Sequence, residues 1–325
     1  MQTIRNQLQK QYYVLDLESF FSAEDGGMML EHLKELTIKR NEKVILYHSE
    51  NIDFYTQWMN KIEMRDLRQL IDQQRKKICV LAHGVNHKFP FEYINHYDFW
   101  IDIRNKNDRF KILNRASENE KDFLFLTRRP TEPRRQLREK LQVQGCLDNS
   151  LYSYVEGENI RHLPPEYEHV KFHDPKFKDE QCYYEPAIWN VLPQQYDATK
   201  YSIVAETVET NGVHCLSEKI FKPLIGGHLF VVLAGTGYLS YLRSIGFKTF
   251  NDCIDESYDN EPDIEWRIKK IVETCKNLMD AGHRVIQEKI QDVIQHNHKL
   301  FFDDCHLQSL NTHIMAEVKD HFGEV

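Results

Sequence analysis

Lys219 and Lys222 are the side chains of this sequence best placed to hold an anion, with Glu206, Ser217 and Glu218 beside them as further candidates for a binding site. They fall in Tyr201–Phe250, where a strand-like YSIVA ends in Glu206 and a polar turn carries Asn211 and Gly212. A helix is expected to begin near Leu216. The first turn of a helix already carries about +0.5 of a charge, so lysines there are unfavourable unless something negative is to be bound. Backbone N–H groups, the dipole and an ammonium together make a phosphate site. Pro223, Gly226 and Gly227 follow, then LFVVLAG and the turn Gly235-Thr236-Gly237, where glycine lets a backbone approach a ligand closely. The same residues also read as an ordinary strand–loop–helix crossover with its charges in solvent.

A second group is basic. Arg128–Lys140 (RRPTEPRRQLREK) holds Arg128, Arg129, Arg134, Arg135, Arg138 and Lys140 against only Glu132 and Glu139. It reads either as the solvated face of a helix or as an anion-binding rim, with Lys106, Arg109 and Lys111 close in sequence. A third group is suited to proton transfer: Asp16 and Glu18, Glu50 and Asp53, and His83 stand at the ends of strand-like runs. A carboxylate or imidazole placed there can act as general base, and each also reads as a cap or a surface residue. Glu50 ranks first, because it follows the strongest early strand signal and sits in a turn; Asp16 and His83 come next. For metals the pattern offers little. His296 and His298, two residues apart on a helix, face different ways, and Asp303-Asp304 is the nearest approach to an acidic metal motif.

The elements that must position these groups alternate. Tyr12–Leu17, Lys43–Tyr47, Lys77–Ala82, Phe99–Ile103, Phe123–Thr127, Tyr201–Ala205 and Leu229–Leu233 are short apolar runs of the kind that form buried parallel strands. Helical spacings separate most of them, notably in Met28–Ile38 and Asp53–Gln74, and Pro262–Leu300 predicts one long amphipathic helix or two in sequence. Asn149–Gln195 is rich in proline and aromatics and reads as loops. The pattern predicts α/β architecture with two doubly wound lobes, joined at the polar stretch Asn114–Asp122. Ligands of such sheets sit beyond the carboxyl ends of the strands.

Composition narrows the classes further. The chain has 325 residues, enough for two cores at roughly 100–200 residues per domain, and 41% are hydrophobic. Its net charge of −8 argues against a surface that is nucleic-acid footprint throughout, without excluding a local one. The mean hydropathy is −0.61, and the longest apolar run, Leu229–Gly235, is far short of the ~20 residues of a membrane span. The N-terminal MQTIRNQLQK lacks the apolar core of a secretory signal, and the seven cysteines form no CxxC pair. A cytoplasmic protein with reduced thiols is expected.

The run LSEKIFKPLIGGHLFVV, with the preceding Glu206 and Thr207 and the following GYLSYLRSIGFKTF and DESYD, resembles the donor-binding lobe of nucleotide-sugar glycosyltransferases of the GT-B fold. It is most similar to a set encoded by tailed phages and marine microbes, whose C-terminal lobe is similar in turn to that of the α1,3-fucosyltransferases. FLFLTRRP (residues 123–130) resembles the start of the same lobe. The resemblance spans roughly residues 120–260 and implies two Rossmann-like lobes facing a cleft: an acceptor-side lobe over 1–118, a donor-binding lobe over 119–300, and a C-terminal helix over 301–325 that could pack back on the first lobe. It also implies that Glu218 and Lys219 contact ribose and pyrophosphate, and that Arg128 or Arg129 completes the clamp. The sequence departs at Ser217, where the family has Thr, and at Thr207, where it has Asn.

The activity implied by the resemblance is that of a metal-independent glycosyltransferase with a nucleotide-diphosphate sugar as donor substrate and no resident cofactor. The phage resemblance makes 5-hydroxymethylcytosine in double-stranded DNA the preferred acceptor. Extruding a base needs a basic rim for the backbone, a role for Arg134, Arg135, Arg138 and Lys140. A surface or lipid-linked glycan is the competing acceptor. A non-catalytic nucleotide-sugar or nucleic-acid binding protein is the alternative of another class.

Overall fold

Aliphatic and aromatic runs become parallel strands in both halves of the chain, because a strand covered on two faces needs apolar residues at successive positions. The computed structural model describes residues 2–21, 26–51, 62–86, 91–107, 121–128, 131–156, 159–164, 167, 169–173, 182–186 and 190–324. The protein is mixed α/β and divides into two units. One comprises Met1–Asp102, Gly212–Cys215 and Asp303–Val325; the other comprises Ile103–Asn211 and Leu216–Phe302. The expected join at 114–122 lies mostly outside the described residues.

In the first unit β1 (Tyr13–Asp16), β2 (Val44–Asn51), β3 (Ile78–His83) and β5 (Ile94–His96) lie side by side in that order, all parallel, while β4 (Val85–Asn86) pairs antiparallel with Val213–His214. Side-chain alternation sorts the core. Val44, Leu46, Ile78, Val80 and Ala82 face Leu30 and Leu33 of α2 (Gly26–Lys34) and Leu67 and Leu70 of α3 (Ile62–Gln73). Ile45, Tyr47, Cys79 and Leu81 face the other way, onto α1 (Ile4–Leu8) and the C-terminal helix Asp304–His321, through Ile4, Leu8, Ile314 and Val318. Both faces are covered. Among the described residues this sheet is parallel and shows no reversal of strand order.

Phe99–Ile103 is not a strand. It lies in α4 (Asp98–Lys106), whose acidic first turn and basic last turn suit the helix dipole, with Trp100, Ile101 and Ile103 fully buried. An apolar run this short does not tell helix from strand by periodicity.

The second unit holds β6 (Lys121–Leu126), β7 (Leu151–Glu156), β8 (Asn159–Arg161), β9 (His169–His173), β10 (Cys182–Pro186), β11 (Thr199–Ala205) and β13 (Leu229–Leu233); β12 is the pair Val213–His214 of the first unit. The sheet order is β13-β11-β6-β7-β8, parallel except for the edge strand β8; β9 and β10 form a separate hairpin. Strand order reverses between β6 and β11, as a doubly wound sheet requires. This unit also carries the helices α5 (Glu132–Val143), α6 (Pro193–Asp197), α7 (Glu218–Gly226), α8 (Tyr238–Ser244), α9 (Ile264–Asp280) and α10 (His283–Phe301), while α11 (Asp304–His321) is the C-terminal helix of the first unit. Gly226 is needed because a Cβ there would stand 2.4 Å from the Tyr196 ring, and Gly227, at φ 67°, ends α7 in the left-handed conformation. The predicted amphipathic stretch resolves into α9 and α10. No helix among the described residues is long and apolar enough to cross a membrane.

Candidate functional site

The reversal between β6 and β11 marks where an open α/β sheet binds its ligand, outside the carboxyl ends of those strands. β6 runs out into Thr127 and Arg128, and Arg128 is exposed; Arg129 lies outside the described residues. β11 runs out into Glu206 and Thr207, and the loop leads on to Ser217, the N-cap of α7.

Each residue of that loop has a mechanical reason. Ser217 has extended backbone and accepts from the Lys219 N–H at 3.2 Å, an ordinary serine cap. Glu206 is buried, and its carboxylate accepts from the Tyr238 hydroxyl at 2.8 Å, the Thr207 N–H at 3.1 Å, the Ser217 N–H at 3.4 Å and the Ser217 hydroxyl. Four protein donors occupy it. The expected ligand contact by Glu206 is thus replaced by a supporting role: it fixes Ser217, which fixes the start of α7.

Lys219 stands in the first turn of α7. Its ammonium donates to Glu218 Oε1 at 2.7 Å and Thr207 Oγ1 at 3.1 Å, and it stays partly exposed. Thr207, at the position where the resembled family has Asn, therefore positions the lysine. Glu218 offsets part of the repulsion between the ammonium and the helix end. Ser217, Glu218, Lys219 and Thr207 form one cluster around amides that point out of the helix with no acceptor inside it.

Lys222 differs. It is buried, and desolvation brings its ammonium from 10.5 down to about 8, Glu218 opposing the fall and Lys219 adding to it. The folded protein consequently binds fewer protons than the unfolded chain between about pH 8 and 10.5, and stability rises with pH across that window. At ~1.4 kcal/mol per pKa unit the shift corresponds to roughly 3 kcal/mol. In urea denaturation the wild type should gain about that much on Lys222→Met as pH passes through this window. A difference that stays flat would mean that Lys222 carries no desolvated charge.

Three of the six basic residues of the window have partners inside the protein, Arg135 within the window and Arg134 and Arg138 beyond it. Arg134 is buried, donates to the Glu206 carbonyl and lies 3.3 Å from Glu209 Oε1. Arg135 pairs with Glu132, and Arg138 donates to Glu156 at 2.7 Å while stacking 4.2 Å over Tyr154. These three with Thr127, Val155 and Glu156 line a small pocket beside the ends of β6 and β7. The expected open rim is corrected accordingly: Arg134 serves the fold, and Arg135 and Arg138 are paired. Lys106, Arg128 and Lys140 are exposed. Arg109 and Lys111 lie outside the described residues.

In the first unit the candidate bases occupy the carboxyl ends of three adjacent strands: Asp16 on β1, Glu50 on β2, His83 on β3. Asp16 accepts from Arg5 at 2.9 Å. His83 is buried with Nδ1 3.2 Å from the His96 carbonyl, and burial drives the His96 imidazole down to about 3, so it stays neutral. The Glu50 side chain and Asp53 lie outside what is described.

Other sequence signals prove structural. Asp303 caps α11 through Cys305 N–H and His306 N–H, and His296 faces the Gly246 carbonyl at 2.8 Å. The Gly235–Gly237 turn opens α8, but Asp259 takes its amides, with Oδ1 3.0 Å from Leu239 N. Among the described residues no cluster of His, Cys, Asp and Glu is arranged to hold a metal ion. Comparison of the chain with protein-family models and with curated proteins finds no match.

Sequence reading misses Thr207, Glu209, Arg134, Tyr238 and Arg267 as supports of this region. The position of Arg134 in a charged run points to solvent, and Arg267 stands in an amphipathic helix with nothing local to mark it.

Proposed function

We propose that the protein is a glycosyltransferase of GT-B type that moves a sugar from a nucleotide-diphosphate sugar to an acceptor hydroxyl. One observation carries the reading: a partly exposed ammonium, Lys219, tethered at the amino end of a serine-capped helix beside the strand-order reversal of a parallel sheet. Sugar transfer passes through an oxocarbenium-like state while pyrophosphate departs. Lys219 and the α7 amides meet the negative charge that grows on the leaving group, and being fixed beforehand they need no reorganisation. Arg128 adds a cation from the end of β6. Glu218 is suited to a ribose hydroxyl. The acceptor base belongs to the first unit, where Glu50 remains the first choice and Asp16 and His83 already have partners.

Hydroxymethylcytosine in DNA stays the preferred acceptor on the resemblance alone, since the pairing of Arg134, Arg135 and Arg138 removes most of the basic rim that argued for it. The test is transfer of radiolabelled sugar from a panel of UDP-, GDP-, CDP- and ADP-sugars to hydroxymethylcytosine DNA, with a glycan acceptor alongside. Label in DNA supports the full reading, and label in glycan alone moves the acceptor. A protein that binds a nucleoside diphosphate and labels nothing is the non-catalytic binder. Absence of both binding and transfer with every donor would sink the proposal.

A further inference from the structure

Arg267, on α9, is almost wholly buried, and its guanidinium reaches acceptors in three segments of the second unit. Nε donates to the Glu261 carbonyl at 2.8 Å; Nη1 to the carbonyls of Ala234 and, at 3.3 Å, Glu209; Nη2 to Asn211 Oδ1 and, at 3.4 Å, the Pro262 carbonyl. Ala234 directly follows β13, and Glu209 and Asn211 lie in the loop after β11, so one planar fork bridges the carboxyl ends of two adjacent parallel strands. Asn211 returns a bond from Nδ2 to Pro262 at 2.8 Å. The far side of the same loop is held by Arg134, through the Glu206 carbonyl and the Glu209 carboxylate, which also accepts from Thr131 at 3.1 Å. Loop 206–211 is thereby gripped from two helices. Its first residues, Glu206 and Thr207, are the ones that hold Ser217 and Lys219.

A buried arginine whose direct acceptors are all neutral oxygens is an expensive way to stabilise a core. Burial disfavours its charge, and the carboxylates of Asp259, Glu261, Asp263 and Glu209 oppose that only through space, since its direct hydrogen bonds go to carbonyls and the Asn211 amide oxygen. The fork instead fixes the mutual position of several carbonyls, which an apolar side chain of the same size cannot do. We infer that Arg267 is a positioning residue for the anion site, acting through Asn211 and Glu209 on the loop that aims Lys219. The inference rests on reading the start of α7 as an anion site, not on which sugar or acceptor is used.

The test compares the wild type with Asn211→Ala, Arg267→Lys and Arg267→Met. Amide hydrogen exchange is read without ligand, and inorganic pyrophosphate is the binding probe. Asn211→Ala should speed exchange at Thr207–Asn211 roughly tenfold while β11 and β13 stay protected, which separates a loosened loop from a weakened sheet. Pyrophosphate affinity should fall about tenfold and bound pyrophosphate should restore the protection, because the ligand must then order the loop itself. Arg267→Lys keeps the charge and loses the fork, and should behave like the asparagine variant. Arg267→Met is the variant at risk of unfolding, and the asparagine variant decides the matter without it. Wild-type exchange and affinity in Asn211→Ala, or in Arg267→Lys, would overturn the inference. So would failure of pyrophosphate to bind the wild type, which removes the anion site altogether. Pyrophosphate binding with no sugar transfer to any acceptor leaves this inference standing and defeats only the glycosyltransferase.

Discussion

Lys219→Ala should lower the proposed sugar transfer by about 10²–10³-fold, the loss seen when one preorganised group facing a developing anion is removed. The expectation depends on where the lysine stands. Its ammonium is held at 2.7 Å by Glu218 and at 3.1 Å by Thr207, so in the proposed reaction it would not have to be recruited as the leaving group departs. Stability should barely move. The ion pair with Glu218 is partly exposed and is worth at most ~1 kcal/mol. Deleting a cation from the first turn of α7 gives back about 0.3–1 kcal/mol of helix-end repulsion, so the two changes nearly cancel. The measurement is steady-state transfer beside a thermal melt. Unchanged turnover would take Lys219 out of the mechanism, and a large fall in melting temperature would recast it as a structural residue. Loss confined to KM would show that the lysine binds substrate and transition state equally and does not favour the departing group.

Much of the second unit is legible in the sequence because its strands are pure apolar runs and its helices begin with recognisable caps. YSIVA and LFVVL are β11 and β13, and the Ser217-Glu218-Lys219 cap falls at the start of α7, two residues past the expected Leu216. Phe99–Ile103 misleads since five apolar-rich residues fit either element, and the charges at its ends, Asp98 and Arg104, are the better signal. The site is legible only as a list of residue types. Sequence shows a glutamate at a strand end, but not that Tyr238, thirty-two positions on, donates to it. The basic window fails for the same reason. Charge counting treats Arg134 and Arg138 alike, whereas the fold buries one against Glu209 and pairs the other with Glu156, partners separated from them by whole elements.

That burial has a measurable consequence of its own. Arg134 and Glu209 lie 3.3 Å apart, both nearly out of water, and burial holds the Glu209 carboxyl above the usual range even with the guanidinium beside it, Arg134 opposing the rise. Removing one partner strands the other. Arg134→Met should therefore cost about 3–5 kcal/mol, read by urea denaturation at neutral pH, because it leaves an uncompensated charge in a dry site. The sign of its pH dependence comes from Glu209. A carboxyl whose folded pKa lies above its unfolded value binds more protons when folded, so stability falls as pH rises from the unfolded value through the folded one. Losing Arg134 pushes the folded value higher still, and the cost of Arg134→Met should shrink on acidification toward the carboxylate range and grow toward neutrality. Arg134→Met combined with Glu209→Leu should recover most of the loss. About 1 kcal/mol should remain for the Glu206 carbonyl, which loses its buried donor in either case. A double variant as unstable as the single one would mean that packing around α5, and not the stranded carboxylate, sets the cost. If the double variant folds well yet binds pyrophosphate weakly, the pair serves the loop that carries Lys219 more than it serves the core, since the apolar replacement restores the packing while leaving Glu206 ungripped.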